Sequence, residues 1–283
     1  MSGPSQAEAG STEIEARISG SSFYAAMLLM PKRERAAMFA VYRFCRLVDD
    51  IADDGSRPRP ERAKELDRWR ADIAELYAGR PSGQAAFLDS AVRDFGLQEA
   101  DFLAVIDGMG MDVAADLRAP DQKTLDLYCE RVAAAVGRLS VRIFGMEHKS
   151  GLELAHQLGR ALQLTNILRD IDEDADMGRL YLPRELLVRA GIETIDPAAA
   201  IGDPRVDAAC RQLATQAQDR FAAAERLLRS RPRGKLLAPR LMAAVYRALL
   251  QDMLAQGWIP PRRRVRIGKL RLLALVARCA VLG

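Results

Sequence analysis

The chain has 283 residues, enough for one large or two small domains, and 49% hydrophobic against 28% charged residues is an ordinary globular balance. Its 42 Lys and Arg against 38 Asp and Glu leave a net charge of +4, spread out except near the C-terminal end. No concentrated basic face with a readable motif is present, which argues against nucleic acid as a partner.

Four widely separated cysteines (Cys45, Cys129, Cys210 and Cys279) with no CxxC pair read as reduced, buried hydrophobes of a cytoplasmic protein. No window approaches the ~18–20 consecutive apolar residues of a membrane span. Alanine, leucine and arginine dominate and β-branched runs are scarce, which predicts helices throughout.

Residues 1–17, rich in Ser, Gly, Ala and Glu, read as a disordered tail lacking the features of a signal peptide. Ser22 and Phe23 open a short apolar segment and read, on their own, as a helix cap and a core aromatic. Pro31 suits the first turn of a helix running to Asp53. After a loop at 55–60, Pro60 starts a helix in which Leu66, Trp69, Ile73, Leu76 and Tyr77 recur as a core stripe. Further helices are predicted at 84–95, 99–116, 122–144, 151–176, 184–190, 204–230, 239–256 and 269–281. Gly96, Gly145, Gly191 and Gly257 mark helix ends. With no strand pattern, repeat or long linker, residues 18–283 read as a single all-α domain.

Two acidic stretches stand apart. Asp49 and Asp53 have i,i+4 spacing in Arg46-Leu-Val-Asp-Asp-Ile-Ala-Asp-Asp54, and Tyr42 and Arg46 extend the same face. Downstream, Gln163, Asn166, Asp170 and Asp174 fall within an arc of roughly 80° on one helix, beside an apolar stripe of Leu164, Ile167, Leu168 and Ile171. Like charges at i,i+4 weaken a helix by roughly 0.2–0.5 kcal/mol per pair, so the stripe is tuned for something other than stability. If the two faces oppose each other, carboxylates repel by roughly 4 kcal/mol per pair at about 4 Å, and cations must fill the gap. Oxygen-only donors point to Mg²⁺, held partly by carboxylate and partly by substrate phosphate.

Other features read more plainly. Asp112 and Asp116 share the i,i+4 spacing but have no arginine or amide beside them, and read as a solvated helix edge. The small run Val132-Ala-Ala-Ala-Val-Gly137 permits close approach of another helix or of a long apolar ligand. His148 and His156 lie outside both acidic stretches, and no GxSxG, GxGxxG or Walker A pattern occurs. The basic stretch from Arg262 to Lys269 fits a solvated run, an anionic-membrane contact or arginines closing over a diphosphate.

The stretches Tyr42-Arg-Phe-Cys-Arg-Leu-Val-Asp-Asp-Ile-Ala-Asp53 and Leu162-Gln-Leu-Thr-Asn-Ile-Leu-Arg-Asp-Ile-Asp-Glu-Asp174, the latter followed by Gly178-Arg-Leu-Tyr-Leu-Pro183, resemble the two signatures of the head-to-head prenyl synthases, the squalene/phytoene synthase family. The likeness runs from about Gly20 to Arg266. It implies an isoprenoid-synthase helical bundle around a central cavity, with Mg²⁺ (Mn²⁺ as a substitute) held by Asp49, Asp53, Asn166, Asp170 and Asp174. It further implies phosphate binding by Arg46, Gln163, Arg169, Arg179, Tyr181 and either Arg264 or Arg266, with Tyr128 near the diphosphate. By the same resemblance Ser22 and Phe23 lie at the cavity mouth, and 132–137 lines a prenyl tunnel. Phe23 or Phe44 would face the allylic cation. Arg169 also has a plain alternative, pairing with Glu173 at i+4. Within the family, Ser21-Ser-Phe-Tyr24, Asp49-Asp-Ile-Ala-Asp53 and the length look most like bacterial members that make presqualene diphosphate for hopanoids. Two farnesyl diphosphates as substrate, no NADPH, a downstream presqualene-processing enzyme and a peripheral contact with the inner face of the membrane through Arg262 to Lys269 are the corresponding expectations. The alternatives are a squalene synthase using NADPH or a phytoene synthase acting on geranylgeranyl diphosphate.

Overall fold

The computed structural model describes residues 27–282; the predicted tail and the Ser22, Phe23 and Tyr24 candidates lie outside them. Every named element among the described residues is helical, as expected from the composition. Helix α1 (Lys32–Asp53) follows Pro31 and buries Ala37, Val41, Phe44, Val48 and Ile51, spaced by threes and fours. Phe44 is completely enclosed, edge to face with Trp69 of α2 (Arg59–Tyr77) at 5.5 Å and with Phe102 of α4 (Glu99–Ala114) at 5.1 Å. It is a core aromatic and does not face the cavity, which corrects its proposed contact with a cation. The α2 stripe is core as predicted, with Leu66, Trp69, Ile73 and Leu76 buried.

The predicted 84–95 helix divides into a 3₁₀ turn at Gly83–Leu88 and α3 (Asp89–Phe95). The predicted 122–144 helix is α5 (Gln122–Cys129), a π-helical turn at Glu130–Ala134 and α6 (Ala135–Ile143). The chain continues through α7 (His148–Arg169), α8 (Ile171–Asp176), α9 (Arg184–Arg189), α10 (Pro197–Gly202), α11 (Val206–Arg229), α12 (Leu237–Gln256) and α13 (Lys269–Leu282). Helix α10 was not anticipated, although its start is written in the sequence: the Asp196 side chain accepts from the Ala199 N–H at 2.9 Å, with Pro197 at the first helical position. The predicted stop glycines Gly96, Gly145, Gly191 and Gly257 all take positive φ.

Two apolar clusters form the interior. One draws on α1 to α4 and α6, the other on α5, α7 and α9 to α12, and Val132 and Met146 pack against both. Helix α7 runs between them against α6, α11 and α12. Its contact with the preceding helix depends on missing side chains. A Cβ at Gly159 would lie 2.8 Å from the Ala133 carbonyl oxygen, and one at Gly137 would lie 3.0 Å from the Ala155 backbone. Both glycines also line an apolar cavity, so the small-residue run serves helix packing and ligand space together. Gly159→Val should therefore destabilise the fold by about 1–3 kcal/mol, read as a lower urea midpoint with little change in slope. Wild-type stability in that variant would mean that α7 can retreat from the π-turn without loss.

Candidate active site

The second acidic stretch is not one unbroken helix. Asp170 leaves helical geometry (φ −100°, ψ 14°) between α7 and α8, while its N–H still donates to the Asn166 carbonyl at 2.8 Å. The indole N–H of Trp258 donates to the Leu168 carbonyl at 2.9 Å, an acceptor that a continuous helix would give to Asp172. The kink turns the Asp170 carboxylate toward two guanidinium groups. Arg169 binds it through two hydrogen bonds of 2.8 and 2.6 Å, and Arg264 donates to it at 2.8 Å. Arg264 also lies 3.3 Å from Glu173, so the helical pairing of Arg169 with Glu173 gives way to this arrangement.

On the facing helix α1, Arg46 bridges Asp49 at 2.6 Å and Asp50 at 3.0 Å. Arg179 joins the two stretches: its guanidinium donates to Asp53 at 2.5 Å and to the Ala52 carbonyl at 3.0 Å. Backbone pairing sets this position. Leu180 N–H donates to Leu117 O at 2.7 Å and Ala119 N–H to Leu180 O at 2.8 Å, stapling the 178–183 segment to the loop after α4.

The staple also brings Tyr181 beside Tyr128, with rings stacked at 5.0 Å. Both hydroxyls donate to Asp112, at 2.8 Å from Tyr181 and 3.0 Å from Tyr128. Asp112 is only 3% exposed. It is no solvated helix edge, and that expectation is corrected: the chain buries this carboxylate behind two phenols. Asp116 lies beyond the end of α4, half-buried, and pairs with Arg59 at 2.7 Å and Arg118 at 3.5 Å, so it too is not the unpaired helix edge expected.

A polar cavity is lined by Arg46, Asp49, Tyr128, Gln163, Asn166, Arg169, Arg264 and Arg266, all candidates from sequence, and by Tyr42 and Tyr246. Asp53, Asp170, Asp174, Arg179 and Tyr181 stand outside its lining; Asp170 is held by the lining residues Arg169 and Arg264, Asp53 repels Asp49, and Tyr181 stacks on Tyr128. Tyr42, Cys45, Val132, Gln163 and Asn166 are shared with the apolar cavity, which runs on between α1, α6, α7 and α12 past Val136, Phe144 and Leu158. Tyr246 is the residue sequence reasoning missed. It is buried at the cavity wall and hydrogen-bonds Arg169, in a helix with no motif around it to flag it.

The electrostatics follow from partial burial and from like charges: the Asp49 side chain keeps 34% and the Asp53 side chain 35% of its surface exposed. Desolvation, then repulsion from Asp53, pushes the Asp49 carboxyl up to about 7. Desolvation, then Asp170, pushes Asp174 up to about 8. Asp112 is raised by burial, against the pull of Arg179 and the two phenols. Among the described residues no three His, Cys, Asp or Glu side chains close around a single point, because arginines hold most of these carboxylates. The donor set nonetheless fits a hard cation. It is oxygen-only, like-charged carboxylates face one another, and the Asn166 side-chain oxygen is buried with no hydrogen-bond partner.

Residues 16–271 match the model of the family described as squalene/phytoene synthase. The chain belongs to the squalene/phytoene synthase family. It is 57% identical over 274 residues to a presqualene diphosphate synthase from Zymomonas mobilis, covering 96% of this chain and 94% of that protein. A presqualene diphosphate synthase from Rhodopseudomonas palustris is 54% identical, covering 93% of this chain and 94% of that one. Among solved structures, a dehydrosqualene synthase in complex with ligand superposes with a TM-score of 0.79 at 26% identity, covering 92% of this chain and 91% of that one. The squalene/phytoene synthase bundle is thus the architecture that the two acidic stretches led one to expect.

The basic expectation for 262–269 needs correction as well. Arg262 is committed to Asp172 at 2.7 and 3.0 Å and to the Trp258 carbonyl at 2.7 Å, and Arg264 to Asp170. Arg262 and Arg264 thus close over the acidic stretch, against the reading as a solvated run, while Arg263, Arg266 and Lys269 stay exposed.

Two outcomes are expected. Asp49 and Asp174 carry folded pKa values above the ordinary 3.8, so the folded state binds more protons than the unfolded one between about pH 4 and pH 8. Stability contributed by their protonated forms is lost as pH rises through that window, and thermal unfolding without added cation should show a lower Tm at about pH 8 than at about pH 5.5. A Tm that rises across the window would contradict the placement of these carboxyls. Asp112→Asn leaves one phenol facing an amide donor and should cost about 1–3 kcal/mol, whereas Asp116→Asn should stay within about 0.5 kcal/mol, both by urea unfolding.

Proposed function

We propose that this protein condenses two molecules of farnesyl diphosphate head to head into presqualene diphosphate, releasing one diphosphate and one proton. The observation that carries the reading is the junction at Tyr42, Cys45, Val132, Gln163 and Asn166, where a cavity of arginines and carboxylates opens into an apolar one. A prenyl diphosphate has just that division into a charged head and an apolar chain. The identity of the product draws on the full-length likeness to the presqualene diphosphate synthases.

In this reading Asp49, Asp53, Asn166, Asp170 and Asp174 hold Mg²⁺, with Mn²⁺ as a substitute, and no NADPH takes part. Bound there, the cation supplies Lewis acidity to a departing diphosphate. The residues do the rest. Arg46, Arg169 and Arg264 already sit in bidentate or bridging geometry on carboxylates, and each can exchange a carboxylate for phosphate oxygens with little change in reach. Gln163 donates to phosphate, and Arg266 offers a further guanidinium at the rim. Tyr128, fixed by Asp112 and backed by the stacked ring of Tyr181, presents a rigid polar wall beside the reacting carbons. Ala133, Val136 and Gly137 keep water from the allylic cation. The product still carries one diphosphate, so a further enzyme must consume it. An apolar substrate and product also suit a cytoplasmic protein in peripheral contact with the membrane; no described helix is long and apolar enough to cross one.

Incubation with farnesyl diphosphate and Mg²⁺ should yield presqualene diphosphate with or without NADPH, and EDTA should stop it. Asp53→Asn and Asp170→Asn should each lower kcat by about 10²-fold or more with the helical circular dichroism retained. Squalene formed only with NADPH would reassign the reaction, and faster turnover of geranylgeranyl diphosphate to a forty-carbon product would reassign the substrate.

A further inference from the structure

The far side of α12 carries a second charged groove, remote from the acidic stretches. Arg229, Arg231, Arg240, Arg247, Arg271 and Arg278 line it over an apolar floor that includes Leu228, Ala243, Ala244 and Leu275. Two carboxylates answer these six arginines: Glu225 pairs with Arg229 and Arg247, and Asp252 with Arg271. The groove therefore keeps a clear positive excess in a chain whose net charge is only +4.

Helix α13 forms one wall of the groove and has a second face turned to solvent. At about 100° per residue, Leu270, Leu273, Ala274 and Ala277 fall within an arc of roughly 100°. All four are exposed, Leu270 by 85% and Leu273 by 63%. The opposite face, with Leu272, Leu275, Val276 and Cys279, packs on the core. Arg271 and Arg278 flank the exposed stripe on the side of the groove, and Lys269 flanks it on the other. The helix thus offers an apolar stripe with Arg271 and Arg278 along one edge and Lys269 at the start of the other, and the groove extends the arginine edge into a basic band.

We propose that α13 and the arginine groove are a docking surface for a bilayer containing anionic phospholipid. Charge and shape select this partner. Phospholipid phosphates meet the arginines while the two exposed leucines enter the headgroup–acyl boundary. A second copy of the chain in a two-fold interface would set arginine against arginine. Nucleic acid would leave the leucines unexplained, and the groove lining holds no aromatic side chain for bases to stack on. The surface also has a place in the architecture: Val265, Arg266 and Ile267, which line the polar cavity, lead directly into α13 through Gly268. A docked α13 holds the cavity rim close to the phase in which a prenyl chain is soluble. The assignment stands on surface chemistry alone and does not depend on which product is made.

Flotation of the full-length protein with vesicles tests it. Binding is expected to vesicles of phosphatidylcholine mixed with phosphatidylglycerol, to be weak with phosphatidylcholine alone, and to fall in high salt. Leu270→Ser/Leu273→Ser should lower partitioning about tenfold and Arg278→Gln about fivefold, with circular dichroism and detergent-phase turnover unchanged. Val188→Ser, at an apolar residue 55% exposed on α9, should bind as the parent does. Parent-like binding by the double leucine variant would overturn the proposal, as would equal binding to phosphatidylcholine alone. Displacement from vesicles by duplex DNA would assign the groove to nucleic acid instead. A dimer in sedimentation velocity that the leucine substitutions disperse would assign the face to self-association.

Discussion

The structure turns on a conflict of like charges. Two acidic stretches, far apart in the chain, bring carboxylates toward one another inside a helical bundle, where screening by water is weak. Guanidinium groups resolve the conflict. Arg46 holds the first stretch, Arg169 and Arg264 the second, and Arg179 crosses between them to Asp53. Remove these arginines and the helices carrying the carboxylates would be pushed apart. The break at Asp170 aims its carboxylate at Arg169 and Arg264, and the staple between Leu117 and Leu180 positions Arg179 against Asp53.

This arrangement prepares the site for an anionic ligand. An arginine already bound to a carboxylate is ordered and partly dehydrated, so transfer to a phosphate costs less ordering entropy than capture by a free side chain. Asp49 and Asp174 are pushed toward neutrality by desolvation and by the carboxylates beside them, against the pull of Arg46 and Arg179. They lie where negative charge is disfavoured until a cation arrives.

Much of this was legible in the sequence, for particular reasons. The helices of α1, α2, α7, α11 and α12 are written in apolar spacing, and both acidic stretches in i,i+4 carboxylates, because those signals are local. What escaped is tertiary. Asp112 looks solvated beside Val113, Ala114 and Ala115, since the phenols that bury it come from Tyr128 and Tyr181. Phe44 looks like a cavity aromatic from its position in a motif, yet its side of α1 faces Trp69 and Phe102. Arg262 looks free in a basic run, and only the fold reveals Asp172 beneath it. The kink at Asp170 depends on an indole 90 residues downstream that takes the Leu168 carbonyl. No window of sequence could contain these pairs.

The π-turn at Glu130–Ala134 has a consequence for how such a chain can vary. A π-turn amounts to one residue inserted into an α-helix. It lets Tyr128, before the turn, face the polar cavity while Ala133, Val136 and Gly137, within and after it, face the apolar one. Loss of a single residue there could be absorbed as a return to plain α geometry, whereas loss of one from the regular helix beyond the turn would rotate everything past it by about 100°, turning the tunnel wall into the core and core side chains into the tunnel. Point substitutions along this helix can tune the volume offered to a chain one methyl group at a time. A change of length in α6 would exchange the two compartments wholesale, so the π-turn is the place along this helix where a change of length does least harm, and Gly137, against the Ala155 backbone, is a place where composition is fixed.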